Sequence, residues 1–226
     1  MTTSDISNDP LSSPRPPRTK RGVEKAAKLQ QAAAQLFLAH GFDGVSINEI
    51  VKIVGGSKTN VYSYFGNKER LLVVVVDELC REFLAPLAAL DVNHRPLREG
   101  LRELGGKLLG ALLSERHLSF YRLIIAESGR FPEIGEIWRQ RGPERVKSMI
   151  AAFISAHVET RRLSARDTLR LARLFHDMVT GSPLAYALTS GGEQFSASEL
   201  DKTIAKAADL VARAIEDANG QMSVAR

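Results

Sequence analysis

The stretch from Ser46 to Leu72, SINEIVKIVGGSKTNVYSYFGNKERLL, constrains the fold more than any other part of the chain. Ser46 has N-cap chemistry, and Glu49 three residues later completes a capping box. Ile47, Ile50, Val51 and Val54 recur at i, i+3, i+4 and i+7, so one face of the helix that follows is apolar. Gly55-Gly56 breaks that helix, because glycine takes the left-handed conformation a sharp reversal needs. Ser57 is expected to cap a second short helix that ends at Gly66, and Asn67 to cap a third. The second helix keeps Val61 and Phe65 on one face. Around the rest it carries Lys58, Thr59, Asn60, Tyr62, Ser63 and Tyr64. A core helix does not normally carry six hydrogen-bonding side chains, so the pattern reads as a helix-turn-helix with a polar second helix. The plain alternative is a helical hairpin with a solvated face.

Positive charge gathers at the same end. Residues 15–70 hold ten Lys/Arg against four Asp/Glu, a net of +6, while the whole chain of 226 residues carries +5. A basic end on a near-neutral body suits a polyanion-binding head attached to a body with another task. Residues 1–17 are rich in Ser, Pro, Thr and Asp without periodicity and read as disordered. With Arg18 to Arg21 they form an N-terminal arm, 1–21, that either lies along phosphates or is simply a solvated tail.

The rest of the chain has a helical pattern throughout, and the fold class is all-α. A first helix covers 22–40, with Leu29, Ala33, Leu36 and Phe37 as its stripe and His40-Gly41 at its end; Phe42 and Val45 plug the small core. A long helix runs from Asn67 to about Leu90, past Pro86, and would join head to body. Further helices follow over Leu97–Leu113, Arg116–Gly129, from Pro132 to the Gly142-Pro143 break, and Glu144–Thr160. Ser164 starts one that reaches about Leu188, with a bend expected at Gly181-Ser182-Pro183. Ser196, with Glu199 at capping-box spacing, starts the last, which ends near Ala218. The expected domains are a head over 22–68, a body over 69–220 and a tail over 221–226.

The run GGSKTNVYSYFGNKERLL, preceded by A-x-x-L-F-L-x-x-G-F-x-G-V-S-I-N-E-I, resembles the signature of the TetR family of bacterial transcriptional regulators across about residues 25–72. Gly56 departs from it: the family usually has a small branched apolar residue there, whose loss is expected to loosen the turn. Phe120–Glu127, Arg130–Glu133 and Gly142–Arg145 resemble, over shorter runs, the C-terminal domain of the AefR-like branch. The resemblance implies a homodimeric repressor, released from a palindromic operator on double-stranded DNA by a small-molecule effector.

Carried over by position, Lys58, Thr59, Tyr62 and Ser63 would touch bases, and Asn60, Tyr64 and Lys68 the DNA backbone. Ser46 and Asn48 are further candidates. Leu169, Ala172, Phe175, Val179, Leu210 and Ala214, on the last two helices, are the expected dimer surface, though some of them close the monomer core. His117, Phe120, Tyr121, Glu127, Trp138, His176, Met178 and Tyr186 are the expected effector contacts, each of which taken alone is more often a core or surface residue.

The rival class is a small helical enzyme or ligand carrier. No Ser/His/Asp or Cys/His arrangement, phosphate loop or zinc spacing is suggested, and the five histidines form no close pair. No catalytic residue, metal or cofactor is therefore expected. The single cysteine, Cys80, excludes an internal disulfide and fits a reducing compartment. The longest apolar run, Leu71 to Val76, is far too short for a membrane span, and the N-terminus has no apolar signal core, so a cytoplasmic location is expected.

Overall fold

The computed structural model describes residue 17 and residues 19–157, 163–189 and 195–220, the side chains of 218–220 excepted. Ten helices and no strand occur among the described residues. The chain divides into two compact units between Val76 and Asp77, inside the fourth helix.

The first unit contains α1 (Lys20–His40), α2 (Ile47–Val54), α3 (Lys58–Phe65) and the beginning of α4 (Lys68–Ala88). α1 starts two residues earlier than its apolar stripe suggests. Thr19 captures the helix start: its Oγ1 accepts from the Gly22 N–H at 3.1 Å, so Lys20 and Arg21 are helical rather than part of an arm. The arm's other residues, apart from Pro17 and Thr19, lie outside the described residues. Leu29, Ala33 and Phe37 of α1 are buried with Phe42, Val45, Ile50, Val61, Phe65, Leu71 and Leu72. The Phe37 and Phe42 rings meet at 5.6 Å. Each such large side chain contributes about 1.5–3 kcal/mol by leaving water, which is what a small three-helix head requires.

The second unit is built on α5 (Leu97–Leu112), α8 (Pro143–Ala156), α9 (Ala165–Thr189) and α10 (Ala197–Gly220), with α6 (Glu115–Glu127) and α7 (Pro132–Arg141) beside them. Leu101, Leu104, Leu108, Ile150, Phe153, Ala172, Phe175, Val179, Ile204, Ala208 and Val211 share one core. Pro132 and Pro143 occupy first-turn positions, where a missing N–H costs nothing. The Ser196–Glu199 capping box closes reciprocally: Ser196 N donates to Glu199 Oε2 at 2.8 Å, and Glu199 N to Ser196 Oγ at 3.3 Å. α9 continues through Pro183 to Thr189. The expected continuation of α8 to Thr160, with Val158, falls outside the described residues. None of the described helices is long and apolar enough to cross a membrane.

Two glycines of α5 test the packing from opposite sides. A Cβ at Gly100 would lie 2.1 Å from Phe153 Cζ, whereas one at Gly106 meets nothing within 4 Å. Helix propensity alone favours alanine by about 1 kcal/mol at either site. At Gly100, overpacking of about 1–3 kcal/mol outweighs that gain. Urea melts should therefore show Gly106→Ala stabilised by about 1 kcal/mol and Gly100→Ala destabilised by about 1–2 kcal/mol. Equal shifts would mean that Phe153 yields freely.

Candidate nucleic-acid interface and ligand cavity

α2 starts as its sequence demands. Ser46 Oγ accepts from Glu49 N at 3.3 Å while Ser46 N donates to Glu49 Oε2 at 2.6 Å, and the donors of Ser46, its backbone N–H first and its side chain second, hold the Glu49 carboxyl below its usual pKa. The Ser46 hydroxyl also donates to the Glu49 carboxylate, and Asn48 stands exposed beside it. The turn that follows places two successive residues at positive φ, Gly55 at 73° and Gly56 at 137°. A branched residue at Gly56 would be strained in this conformation. The space above it is filled from elsewhere: a Cβ there would lie 2.8 Å from Lys25 Nζ and 3.3 Å from Asn60 Nδ2. The turn is thus packed by an α1 lysine rather than left loose.

Ser57 takes the extended N-cap conformation before α3 but makes no cap hydrogen bond, contrary to expectation. The first-turn N–H groups of α3 therefore have no side-chain cap. Val61 and Phe65, one turn apart, anchor α3 in the core. Lys58, Thr59, Tyr62 and Ser63 are exposed along the outer edge at i, i+1, i+4 and i+5, Tyr62 to 49%. Asn60 and Tyr64 are half-buried. Tyr64 stands edge-on to Phe65 at 6.3 Å, and a Cβ on Gly22 at the start of α1 would lie 3.7 Å from its hydroxyl. Gly66 ends α3 at φ 84°, and Asn67 Oδ1 accepts from Arg70 N at 2.8 Å to open α4. Lys68 is half-buried, its Nζ 4.1 Å from the centroid of the Phe42 ring.

The residue that sequence reasoning missed here is Lys25. It lies on α1, ahead of the two helices of the helix-turn-helix, and only the folded position of α1 brings its ammonium group to the turn.

In the second unit a cavity of about 540 Å³ opens among α4, α5, α6, α7, α8 and α9. His117, Phe120, Tyr121, Trp138 and His176, five of the eight expected effector contacts, line it together with Cys80 and Phe83. Glu127, Met178 and Tyr186 do not. Glu127 ends α6 away from the cavity wall, while Met178 and Tyr186 point outward from α9. Burial pushes the Cys80 thiol up to about 12, so it stays protonated. Burial lowers His176 as well, opposed by the Asp177 carboxylate 2.8 Å from its Nδ1.

The expected dimer surface divides in the same way. Ala172, Phe175 and Val179 are wholly buried in the chain's own core, so they cannot face a partner. Leu169 is half-buried, and Leu210 and Ala214 are exposed on α10. The apolar residues that α9 turns outward are instead Leu174, Met178 and Tyr186.

Comparison with known proteins matches residues 29–75 to the family model of bacterial regulatory proteins of the tetR type. It matches residues 99–215 to the C-terminal domain of AefR-like transcriptional repressors. The HTH-type transcriptional regulator RutR of Escherichia coli is 34% identical over 80 residues, 35% of this chain and 38% of that protein. The HTH-type transcriptional repressor NicS of Pseudomonas putida is 28% identical over 111 residues, 49% of this chain and 51% of that protein. The matched stretches thus span less than two thirds of either relative. Among solved structures, the flavonoid-responsive regulator FrrA superposes with a TM-score of 0.71 at 26% identity, covering 84% of this chain and 96% of that one. A TetR-family regulator from Mesorhizobium loti does so with a TM-score of 0.70 at 26% identity, covering 85% and 97%.

Proposed function

The chain belongs to the TetR family of bacterial regulatory proteins, and from that premise we propose that it is a homodimeric repressor that leaves a two-fold symmetric operator when a small molecule fills its cavity. The observation that carries this reading is the exposed edge of α3. Lys58, Thr59, Tyr62 and Ser63 lie along it, while Val61 and Phe65 fix the helix from behind. Lys58 can donate to base edges, and the Thr59 methyl can meet a thymine methyl. The uncapped first turn of α3, Lys25, Ser46, Asn48, Asn60, Tyr64 and Lys68 supply phosphate contacts that set the register. One such head covers only a few base pairs, so specificity calls for two. Leu174, Met178 and Tyr186 on α9, with Leu210 and Ala214 on α10, form the face through which two copies pair.

The release step rests on α4. Its first turns carry Leu71, Leu72, Val75 and Val76, buried in the head, and its later turns carry Cys80, Phe83, Leu84 and Leu87, which line the cavity. An effector that binds one arrangement of α4 more tightly shifts the spacing of the two heads, and differential affinity is the whole of the driving force. FrrA is flavonoid-responsive, which supports a small-molecule signal for this chain. Family membership sets aside the enzyme or carrier reading.

The test is fluorescence anisotropy of the purified chain on DNA from immediately upstream of its own gene, against scrambled competitor, over a salt series. Preference for the upstream DNA with a steep salt slope is the expected result. Absence of binding at low salt would remove the proposed role.

A further inference from the structure

We propose that the cavity of the second unit takes an uncharged, ring-bearing molecule whose oxygen accepts a hydrogen bond from the His117 imidazole. This rests on reading the cavity as the effector site.

Three observations set the ligand's chemistry. The first is a continuous wall of rings. Phe83 stands edge-on to His117 at 4.5 Å and stacks on Phe120 at 5.6 Å, and Tyr121 stands edge-on to Trp138 at 5.2 Å. Rings so fixed offer faces and edges to a flat partner and little to a floppy one.

The second is that the charges in the lining are already matched. Lys147 Nζ lies 3.6 Å from Glu144 and 3.9 Å from Asp177, and Arg139 is bound to Glu136 at 2.7 Å. A charged ligand would shed its hydration without finding a free opposite charge.

The third is His117 itself. It lines the cavity at only 6% exposure, and its Nδ1 is sealed without a hydrogen-bond partner among the described residues. Desolvation lowers its pKa to about 4, so the ring is neutral. A buried N–H left unpaired costs more than a bare lone pair, which puts the proton on Nε2. With Nδ1 enclosed, Nε2 is the nitrogen left to address a ligand, and it does so as a donor.

The experiment is isothermal titration calorimetry on the full chain without DNA. The probes are coumarin (two rings with a lactone oxygen), naphthalene (two rings without oxygen) and 2-naphthoate (two rings with a negative charge). Coumarin and naphthalene are expected to bind, and 2-naphthoate more weakly than both. His117→Phe keeps the ring wall and removes the donor. It should weaken coumarin roughly ten-fold and leave naphthalene within about two-fold. His117→Gln, which restores an N–H, should recover part of the coumarin loss. Quenching of Trp138, the only tryptophan in the chain, places the probe in the cavity.

Coumarin binding indifferent to His117→Phe, tightest binding by 2-naphthoate, or binding by no probe would each overturn the proposal. The comparison of the three probes on the unsubstituted chain holds even where a variant fails to fold. A chain that shows this selectivity but keeps its DNA when loaded leaves the ligand class standing and overturns only the effector role.

Discussion

Tyr62→Ala should lower operator affinity roughly 150-fold while leaving the thermal melt unchanged. Tyr62 lies on the exposed edge of α3 and is half open to solvent, so its loss leaves no cavity in the core. A hydrogen bond from its hydroxyl to a base edge is worth about 1.5 kcal/mol. On the two-fold symmetric operator proposed above the loss counts twice, about 3 kcal/mol in all. Lys68→Ala is a less clean probe. Its ammonium rests on the Phe42 ring, so truncation also removes about 0.5–1 kcal/mol of head stability. Its diagnostic is the salt dependence, which should flatten by about two units of slope, one phosphate contact per head. Anisotropy titrations at several salt concentrations read both effects. Unchanged affinity in Tyr62→Ala would take α3 out of the groove.

The second large effect concerns Phe175. On sequence it belonged to the dimer surface; in the fold it is fully buried against α5 and α10, with its Cζ 3.2 Å from where a Cβ of Gly105 would be. Phe175→Ala should cost about 3–5 kcal/mol of stability. The two placements predict different concentration dependence. A core residue lowers the unfolding midpoint equally at low and high protein concentration, whereas an interface residue weakens self-association and leaves the folded monomer intact. Urea melts at two concentrations a hundred-fold apart, with sedimentation in parallel, separate them. Dissociation to a stable folded monomer would return Phe175 to the interface. Leu210→Glu, on the exposed side of α10, is the opposite control and should act on association alone.

Local signals were readable and tertiary ones were not. The capping boxes at Ser46 and Ser196, the glycine stop at Gly66, the Asn67 cap and the first-turn prolines Pro132 and Pro143 each depend on residues within one turn of each other. Ser57 is the exception: it has the right residue type and backbone, yet makes no cap bond. α9 shows why periodicity misplaces the dimer surface. It carries two apolar stripes, Ala172, Phe175 and Val179 on one side and Leu174, Met178 and Tyr186 on the other. Periodicity identifies both stripes as apolar but cannot say which one meets the chain's own core. Residue type likewise does not separate His176, which lines the cavity, from Met178 and Tyr186 on the same helix, which do not. His117, Phe120, Tyr121 and Trp138 converge because α6 and α7 pack together, a fact about distance in space that spacing along the chain does not encode. At Gly56 the family pattern showed the departure, and the fold supplies its reason in the positive φ and the Lys25 side chain above the turn.

The buried thiol of Cys80 has a practical side. The chain's only cysteine is buried and held protonated, so alkylating reagents should pass it by at neutral pH. A cysteine introduced on the outer edge of α3 or on the exposed face of α10 can then carry a spin label or fluorophore in an otherwise native background. Distances between two labelled copies, with and without a loaded cavity, become measurable without first engineering the native cysteine away. Because Cys80 lines the cavity, the rate at which it is alkylated becomes a clock for the opening of that cavity.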